Sequence, residues 1–420
     1  MWLRKRLDLG WSDLALGMLA CLRPGGAGAA QAELESCWSS TGDALACLSV
    51  RSGFDLLFAA LNLPRDSEVL ISAITIPDMV RIIEDHGLVP VPIDLEVSQM
   101  APQIELLRRA ITPAARAIVV AHLFGGHILM EPILELARKH GLLVIEDCAQ
   151  AFADQTYRGH PQADVSMFSF GPIKTATALG GGILRVRDAE LLARMRSRQA
   201  EYPVQGRGAY LRRLLKYALL KAFSVRPVVK IVVGFCRVIH YDYDRMINGA
   251  VRGFAGPGFF RRIRQRPCPA LLSLLKRRLR SYDLRRLERR TAHGELLAKL
   301  LGERVIRPGA KLAAHTHWVF PILVDDPDRV VQRLQRAGFD ATQGQSLCVV
   351  PPPEGRRQLQ AQAADDVLAK TVYLPMYPEL PRRALQNMAA AVLEACGQRR
   401  VEVSLRPARV TTTSAARPAG

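Results

Sequence analysis

Lys174 stands between an apolar run, Val165 to Ser169, and a glycine triplet, Gly180 to Gly182. Lysine in a loop is ordinarily solvated, but an amine held close to an apolar strand end can act both as a nucleophilic tether and as a general base. Asp147 follows Glu146 at the end of another apolar run, Leu142 to Ile145. A carboxylate there is either a cap or turn residue or a fixed negative charge for a cationic ligand atom. Ser169 offers a hydroxyl, with its own backbone as the plain alternative partner. Gly53 and Phe54 begin a helix-like stretch after Ser52, and backbone amides at a helix start favour an anion. His122 ends a third run, where histidine serves either a site or the local structure.

These residues need elements that bring them together. Between Glu68 and Phe170, β-branched runs (Val69 to Ile74, Val89 to Ile93, Ala117 to Ala121, Leu142 to Glu146, Val165 to Ser169) alternate with amphipathic stretches of helix length. That alternation predicts an α/β fold with a mainly parallel sheet covered by helices. One helix opens at Thr75 and Pro77 and stops at Gly87; another runs from Met130 to His140 and stops at Gly141. In such sheets ligands bind beyond the carboxyl ends of the strands. His122, Asp147 and the residues after Phe170 are therefore expected at one edge. Further along, Trp318 to Val324 reads as a strand, and Arg329 to Ala337 and Arg382 to Cys396 as helices of a smaller α/β unit.

A pyridoxal-phosphate enzyme needs a lysine for the cofactor's carbonyl, a carboxylate against its ring nitrogen and donors for its phosphate. Lys174, Asp147 and Ser169 with the Gly53 and Phe54 amides supply these types. The motifs His122-Leu-Phe-Gly125, Glu146-Asp-Cys-Ala-Gln150, Ser169-Phe-Gly-Pro-Ile-Lys174 and Gly180-Gly-Gly182 occur in the order found in one family. The sequence resembles the DegT/StrS-type nucleotide-sugar aminotransferases, of the pyridoxal-phosphate fold type I. Ser52-Gly53, Ile71 to Pro77, His317-Trp-Val-Phe320 and Leu374-Pro-Met-Tyr-Pro-Glu-Leu380 extend the likeness over most of the chain outside about 206 to 262.

The resemblance implies that Lys174 carries the cofactor and moves the proton during transamination. It implies that Asp147 pairs with the pyridine nitrogen, that Gln150 lies near the ring, and that Ile76 takes the place of an aromatic stacked on it. The implied cofactor is pyridoxal 5′-phosphate, with no metal. The implied substrates are a nucleotide-linked keto-sugar and an amino-acid donor, glutamate in the family, in cell-surface polysaccharide or glycan synthesis (EC 2.6.1.-). A homodimer is implied too. This chain departs from the family at Phe54-Asp55, where a Thr-Ala pair is common, and at Phe152, where a histidine is frequent. No Asn-containing motif for the neighbouring subunit's phosphate is evident around Arg264 to Leu271, and Arg264 or Arg266 is the available substitute. These departures also raise an alternative, a catalytically weakened member that binds or scaffolds at a membrane.

The net charge of +19 is concentrated: between Gln205 and Arg290, 22 Lys and Arg stand against 4 acids. Residues 210 to 222 form a basic amphipathic helix, and no run there is apolar enough to span a bilayer. The block predicts either contact with an anionic membrane surface through 207–266 or a basic insertion packed on its own domain. Nucleic acid is not expected, since charge alone argues for it. The eight cysteines have no paired spacing and read as reduced thiols. Asp13 interrupts the apolar N-terminal stretch, which is therefore read as a packed helix of a cytoplasmic protein rather than a signal peptide. The expected divisions are a large cofactor-binding domain (1–205), the basic insertion (206–266), a helical connection with a small domain (267–398) and a disordered tail (399–420).

Overall fold

In the computed structural model, residues 1–397 are described except 24, 154–155, 225–253, 255–257 and 345. Seven strands form the central sheet: β1 (Ala44–Cys47), β2 (Glu68–Ser72), β3 (Val89–Ile93), β4 (Ala115–Ala121), β5 (Leu143–Asp147), β6 (Val165–Ser169) and β7 (Gly182–Val186). Their spatial order is β1-β7-β6-β5-β4-β2-β3. The pairings among β3, β2, β4, β5 and β6 are parallel, and β7 runs antiparallel to both neighbours. Every strand except β7 thus ends at one edge, as the alternating pattern predicted.

Side chains leave a strand alternately on its two faces, and each face has its own core. On β7, Ile183 joins one apolar cluster and Leu184 the other. Leu184 packs with α3 (Val50–Leu61), α4 (Pro77–Asp85) and α7 (Ala189–Ala200). Helices α5 (Ile104–Ala110) and α6 (Glu131–Lys139) cover Ile118 and Val120 of β4. Gly87 and Gly141 follow α4 and α6 with φ of 70° and 63°, the left-handed conformation that glycine adopts cheaply. Thr75, expected to cap α4, lies instead in the two-residue strand Ile74–Thr75, and Ile76 takes the cap position without a side-chain bond.

Ile183 faces a cluster built from α1 (Trp11–Leu22), α2 (Ala27–Trp38), α8 (Arg207–Ala222) and, after α9 (Phe259–Ile263), α10 (Pro269–Arg280). Asp13, the charge that breaks the apolar N-terminal stretch, is buried on α1. It accepts hydrogen bonds from Arg277 and Arg278 of α10, both at 2.9 Å. On α8 the buried residues are Tyr210, Leu214 and Tyr217, while Leu215, Leu219 and Phe223 are exposed. That helix therefore packs on its own protein. Within the expected insertion, residues 225–253 and 255–257, and also the expected tail, lie outside the described residues.

The long α11 (Leu284–Leu301) leads to the smaller unit. There β8 (Phe320–Leu323) pairs antiparallel with β9 (Thr371–Leu374), covered by α12 (Pro327–Arg336) and α14 (Arg382–Cys396); α13 (Gln362–Lys370) precedes β9. The first residues join this unit to the large one. The Trp2 amide donates to the Gly338 carbonyl at 2.7 Å, and Arg4 pairs with Asp340 at 2.6 Å. Asp8 then accepts from the Ala176 amide at 2.9 Å, just beyond Lys174. The seven described cysteines are all free, and no described helix is long and apolar enough to cross a membrane.

Candidate active site

The strand ends converge as the register requires. Asp147 lies opposite Ala121 on β4 and Met167 on β6, so His122, Asp147 and Ser169 come from three adjacent strand ends. Ser169 lies opposite Gly182, which in turn lies opposite Cys47 at the end of β1. The turn after β1 delivers the start of α3 to the same edge.

Lys174 follows β6 by one short turn, in which its amide donates to the Gly171 carbonyl at 3.0 Å. A Cβ on Gly171 would meet Ser169 Oγ at 3.7 Å and Lys174 Cγ at 4.0 Å, so both side chains border the same small space. The Lys174 amine lies 4.1 Å from the centre of the Trp318 ring, whose indole N–H donates to the Ile173 carbonyl at 3.1 Å. Burial lowers the lysine to about 7; Asp147 acts in the opposite direction, and Arg51 adds to the lowering. Much of it is then free amine near neutrality, the form that attacks carbonyls and accepts protons. Burial also raises Asp147, while its bond from the Ala149 amide and the charges of Lys174, His122 and Arg51 oppose the rise. Lysine and aspartate thus share one electrostatic site. Ala176 and Leu179 have φ of 53° and 61° in the loop beyond Lys174, a local strain of the kind that collects at functional sites.

The anion end differs from the sequence expectation. Helix α3 starts at Val50, capped by Ser49, whose hydroxyl accepts from the Ser52 amide at 3.1 Å. The Gly53 amide already donates to Ser49's carbonyl at 3.0 Å, and Phe54 is wholly buried in the core. Neither is placed to hold a phosphate. The unsatisfied amides of a helix are those of its first turn, which here means Val50 and Arg51. Gly53 has another reason to be glycine: a Cβ there would come within 2.3 Å of Leu184. Gly182 permits the approach of helix to sheet, because its Cβ would fall 2.6 Å from the Val50 nitrogen. Arg51 was overlooked in the sequence; its guanidinium reaches Asp78 at 2.5 Å, and its charge is felt at both Lys174 and Asp147.

His122 is buried with both ring nitrogens occupied. Its Nδ1 accepts from the Ile128 amide at 3.1 Å, leaving Nε2 to donate to Glu146 at 2.8 Å. It holds the strand end and offers no nitrogen to a ligand. Glu146 also accepts from Tyr157, from Ser166 at 2.7 Å and from the His160 amide at 2.8 Å. Burial alone would raise that carboxyl, but these donors hold it at about 2. The Gln150 side chain accepts from the Phe124 amide at 2.8 Å, tying the Asp147 turn to the turn after β4. Ile76 sits at the α4 start, half-buried against the α3 core, and offers an aliphatic face where a ring was expected. Phe152 packs with Trp38, Phe170 and Tyr282. Asp55 points away from the anion end into a bidentate pair with Arg264, at 3.0 and 2.8 Å, beside His86. Arg264 is thereby committed within its own chain, and Arg266 donates to the Tyr202 carbonyl at 3.0 Å. Arg264 is thus committed to Asp55 and Asp85, whereas only one side-chain N–H of Arg266 is engaged.

A neutral buried amine, a carboxylate coupled to it and helix-start amides beside a serine form the donor set that pyridoxal 5′-phosphate requires, and these residues fit it. The solved structures most like this one include the aminotransferase TlmJ from Streptoalloteichus hindustanus, with a TM-score of 0.67 at 18% identity over 92% of this chain and 96% of that one. Helicobacter pylori PseC, an aminotransferase of pseudoaminic acid biosynthesis, gives 0.65 at 16% identity over 94% and 99%. These likenesses establish the fold. By sequence the chain is 35% identical to the GDP-perosamine synthase of Caulobacter vibrioides over 156 residues, 36% of this chain and 42% of that protein. It is 35% identical over 161 residues to a UDP-N-acetyl-3-dehydro-alpha-D-glucosamine 3-aminotransferase of Acidithiobacillus ferrooxidans, 38% of this chain and 44% of that one. The matches thus span less than half the length of these curated relatives. Over residues 33–393 the sequence matches one family as a whole. The fold, the lysine site and that match agree: this chain belongs to the DegT/DnrJ/EryC1/StrS aminotransferase family.

Proposed function

We propose that this chain is a pyridoxal-phosphate-dependent transaminase that moves an amino group from an amino acid, glutamate, onto the keto-sugar of a sugar nucleotide, as one step in building a cell-surface glycan. The observation that carries the reading is Lys174: a buried amine, lowered by that burial to about 7 and coupled to Asp147 at the edge of the sheet. The relatives named for GDP- and UDP-linked sugars support the substrate class. When bound, the cofactor supplies an electron sink for the bond being broken at the amine-bearing carbon. The chain's residues do the rest. Asp147 keeps a proton on the ring nitrogen, and Ser169 with the α3 amides orients the phosphate. The Lys174 amine would take the proton from the donor's α-carbon and deliver it to the carbon on the other side of the amine nitrogen. On the sugar the same steps run in reverse.

The weakened, purely binding member loses much of its motive. Phe54 and Asp55 are buried away from the anion end, and the lysine and aspartate are retained together. The decisive experiment is reduction with borohydride after addition of pyridoxal phosphate. Wild type should keep the cofactor covalently on the peptide containing Lys174, and Lys174→Ala should keep none. Keto-sugar nucleotides offered with glutamate should then be aminated by wild type alone. Absence of fixation in wild type would overturn the transaminase reading. We extend the proposal to a homodimer, and to a peripheral contact with anionic membrane through the exposed Leu215, Leu219 and Phe223 of α8 and the basic residues around them.

A further inference from the structure

In the N-terminal segment, Lys5, Arg6 and Asp8 line a pocket that Lys174 also borders. Between its bonds to Gly338 and Asp340 and the bond from Ala176 to Asp8, this segment passes over Trp318. The Lys5 amine lies 3.5 Å from the centre of the Trp318 ring, the same ring that Lys174 approaches at 4.1 Å. The two amines can therefore be no farther apart than those two distances laid end to end. Arg290, from α11, closes the same pocket. Its guanidinium is fixed by bonds to the Thr316 carbonyl at 2.8 Å and the Thr175 hydroxyl at 3.1 Å. Its Nη2 is left buried without a partner, and so is the amine of Lys5.

Two buried N–H donors aimed into one pocket without acceptors are costly, and the cost ends when an anion binds. The local carboxylates do not meet this need. Asp8 is taken by Arg286 at 3.1 Å and the Ala176 amide; Glu379 gives one oxygen to Arg286 at 2.7 Å while its other oxygen is buried without a partner, and neither carboxylate hydrogen-bonds Lys5. We propose that Lys5 and Arg290 form an anion subsite beside Lys174 that takes the α-carboxylate of the amine donor. The proposal rests on the transaminase reading. Position argues for it, because the donor's carboxylate is bonded to the carbon whose proton Lys174 removes, so it must lie within a few ångströms of that amine. Lining agrees: Lys5, Lys174, Arg286 and Arg290 all border this pocket, so cationic groups face it from several sides. Burial, then the nearby charges of Lys174 and Arg290, lower Lys5 well below its usual range, with Asp8 opposing. An arriving carboxylate would restore its charge, so binding should draw in a proton.

The test is calorimetric titration of the purified full chain, with and without cofactor, using 2-oxoglutarate as the carboxylate probe and UDP as the diphosphate probe. Wild type is expected to bind 2-oxoglutarate with proton uptake, read from the dependence of the heat on the buffer. Lys5→Met should weaken that binding about tenfold or more, Lys5→Arg should restore most of it, and UDP binding should be unchanged. The melting temperature of Lys5→Met should not fall, which separates a lost ligand contact from a damaged fold. No saturable 2-oxoglutarate binding by wild type, equal binding by Lys5→Met, or a loss confined to UDP would each overturn the subsite. Borohydride fixation at Lys174 in the same samples separates the two readings. Fixation with unaltered binding sinks only the subsite, whereas binding without fixation sinks its assignment to an amine donor.

Discussion

At the scale of single residues, the reactivity of Lys174 follows from what surrounds it. An amine lowered to about 7 changes protonation near neutrality, whereas a solvated lysine does so near about 10.4. Since the attacking form is the free amine, cofactor capture by cofactor-free protein should accelerate as pH rises through about 7 and level off above it. Stopped-flow absorbance would show this, and a rate still climbing toward pH 10 would mean that the amine is solvated. Asp147→Asn should leave capture largely intact but slow transamination about a hundredfold or more, because the ring nitrogen loses its fixed negative partner. The positions of Asp147 and Ser169 at strand ends, and of Lys174 one turn beyond, were legible because the apolar runs before them read as strands. Gly53 and Phe54 were misplaced for a physical reason. Ser49 and Ser52 are equally suited to cap a helix, and only the contact of Gly53 with Leu184 shows that the helix has already begun. That one-turn ambiguity also concealed Arg51. Trp318 was visible as part of a motif, but its meeting with Lys5 was beyond reach, since that contact joins distant segments.

At the scale of elements, the site depends on how closely α3 approaches β7. Gly182→Ala places a methyl against the Val50 nitrogen and the Ser49 carbonyl carbon, at 2.6 and 2.7 Å. Backbone cannot yield as a flexible side chain does. The variant should lose about 1–3 kcal/mol of stability and bind pyridoxal phosphate more weakly even where it stays folded, as denaturation and equilibrium dialysis would show. Asp13→Ala removes the buried carboxylate that joins α1 to α10, leaving Arg278 only the Thr177 and Asp8 carbonyls as hydrogen-bond acceptors. A loss on the order of 3 kcal/mol is expected in urea unfolding. Helices punctuated by glycine and proline, such as α4 and α6, were readable because both residues act through the local backbone. Helix α8 was only half readable: its amphipathicity was evident, but packing against α1 and α10 buries Tyr217 and leaves Leu215 and Leu219 outside. If that outer face meets lipid, Leu219→Glu with Phe223→Glu should reduce sedimentation with anionic vesicles at low salt while leaving borohydride fixation intact.

At the scale of the whole molecule, the parallel sheet gathers strand ends from distant parts of the chain, and the small unit supplies the Trp318 wall. Sedimentation velocity should give twice the mass of one chain, with the dimer persisting after Lys174→Ala because that change is internal. The fold class was legible from the alternation of strand and helix patterns, whereas the closure of the two units by the N-terminal segment was not. That closure has a bearing on how the protein comes to exist. Arg4 and its partner Asp340 are 336 positions apart, so on the ribosome the earlier residue must wait until the later one has emerged. The sheet can form meanwhile, but Lys5 cannot be seated over Trp318 until the later segment arrives. The pocket is therefore completed only after the small unit has emerged, and a nascent chain that stops short of Phe339 would carry Lys174 in an unfinished pocket.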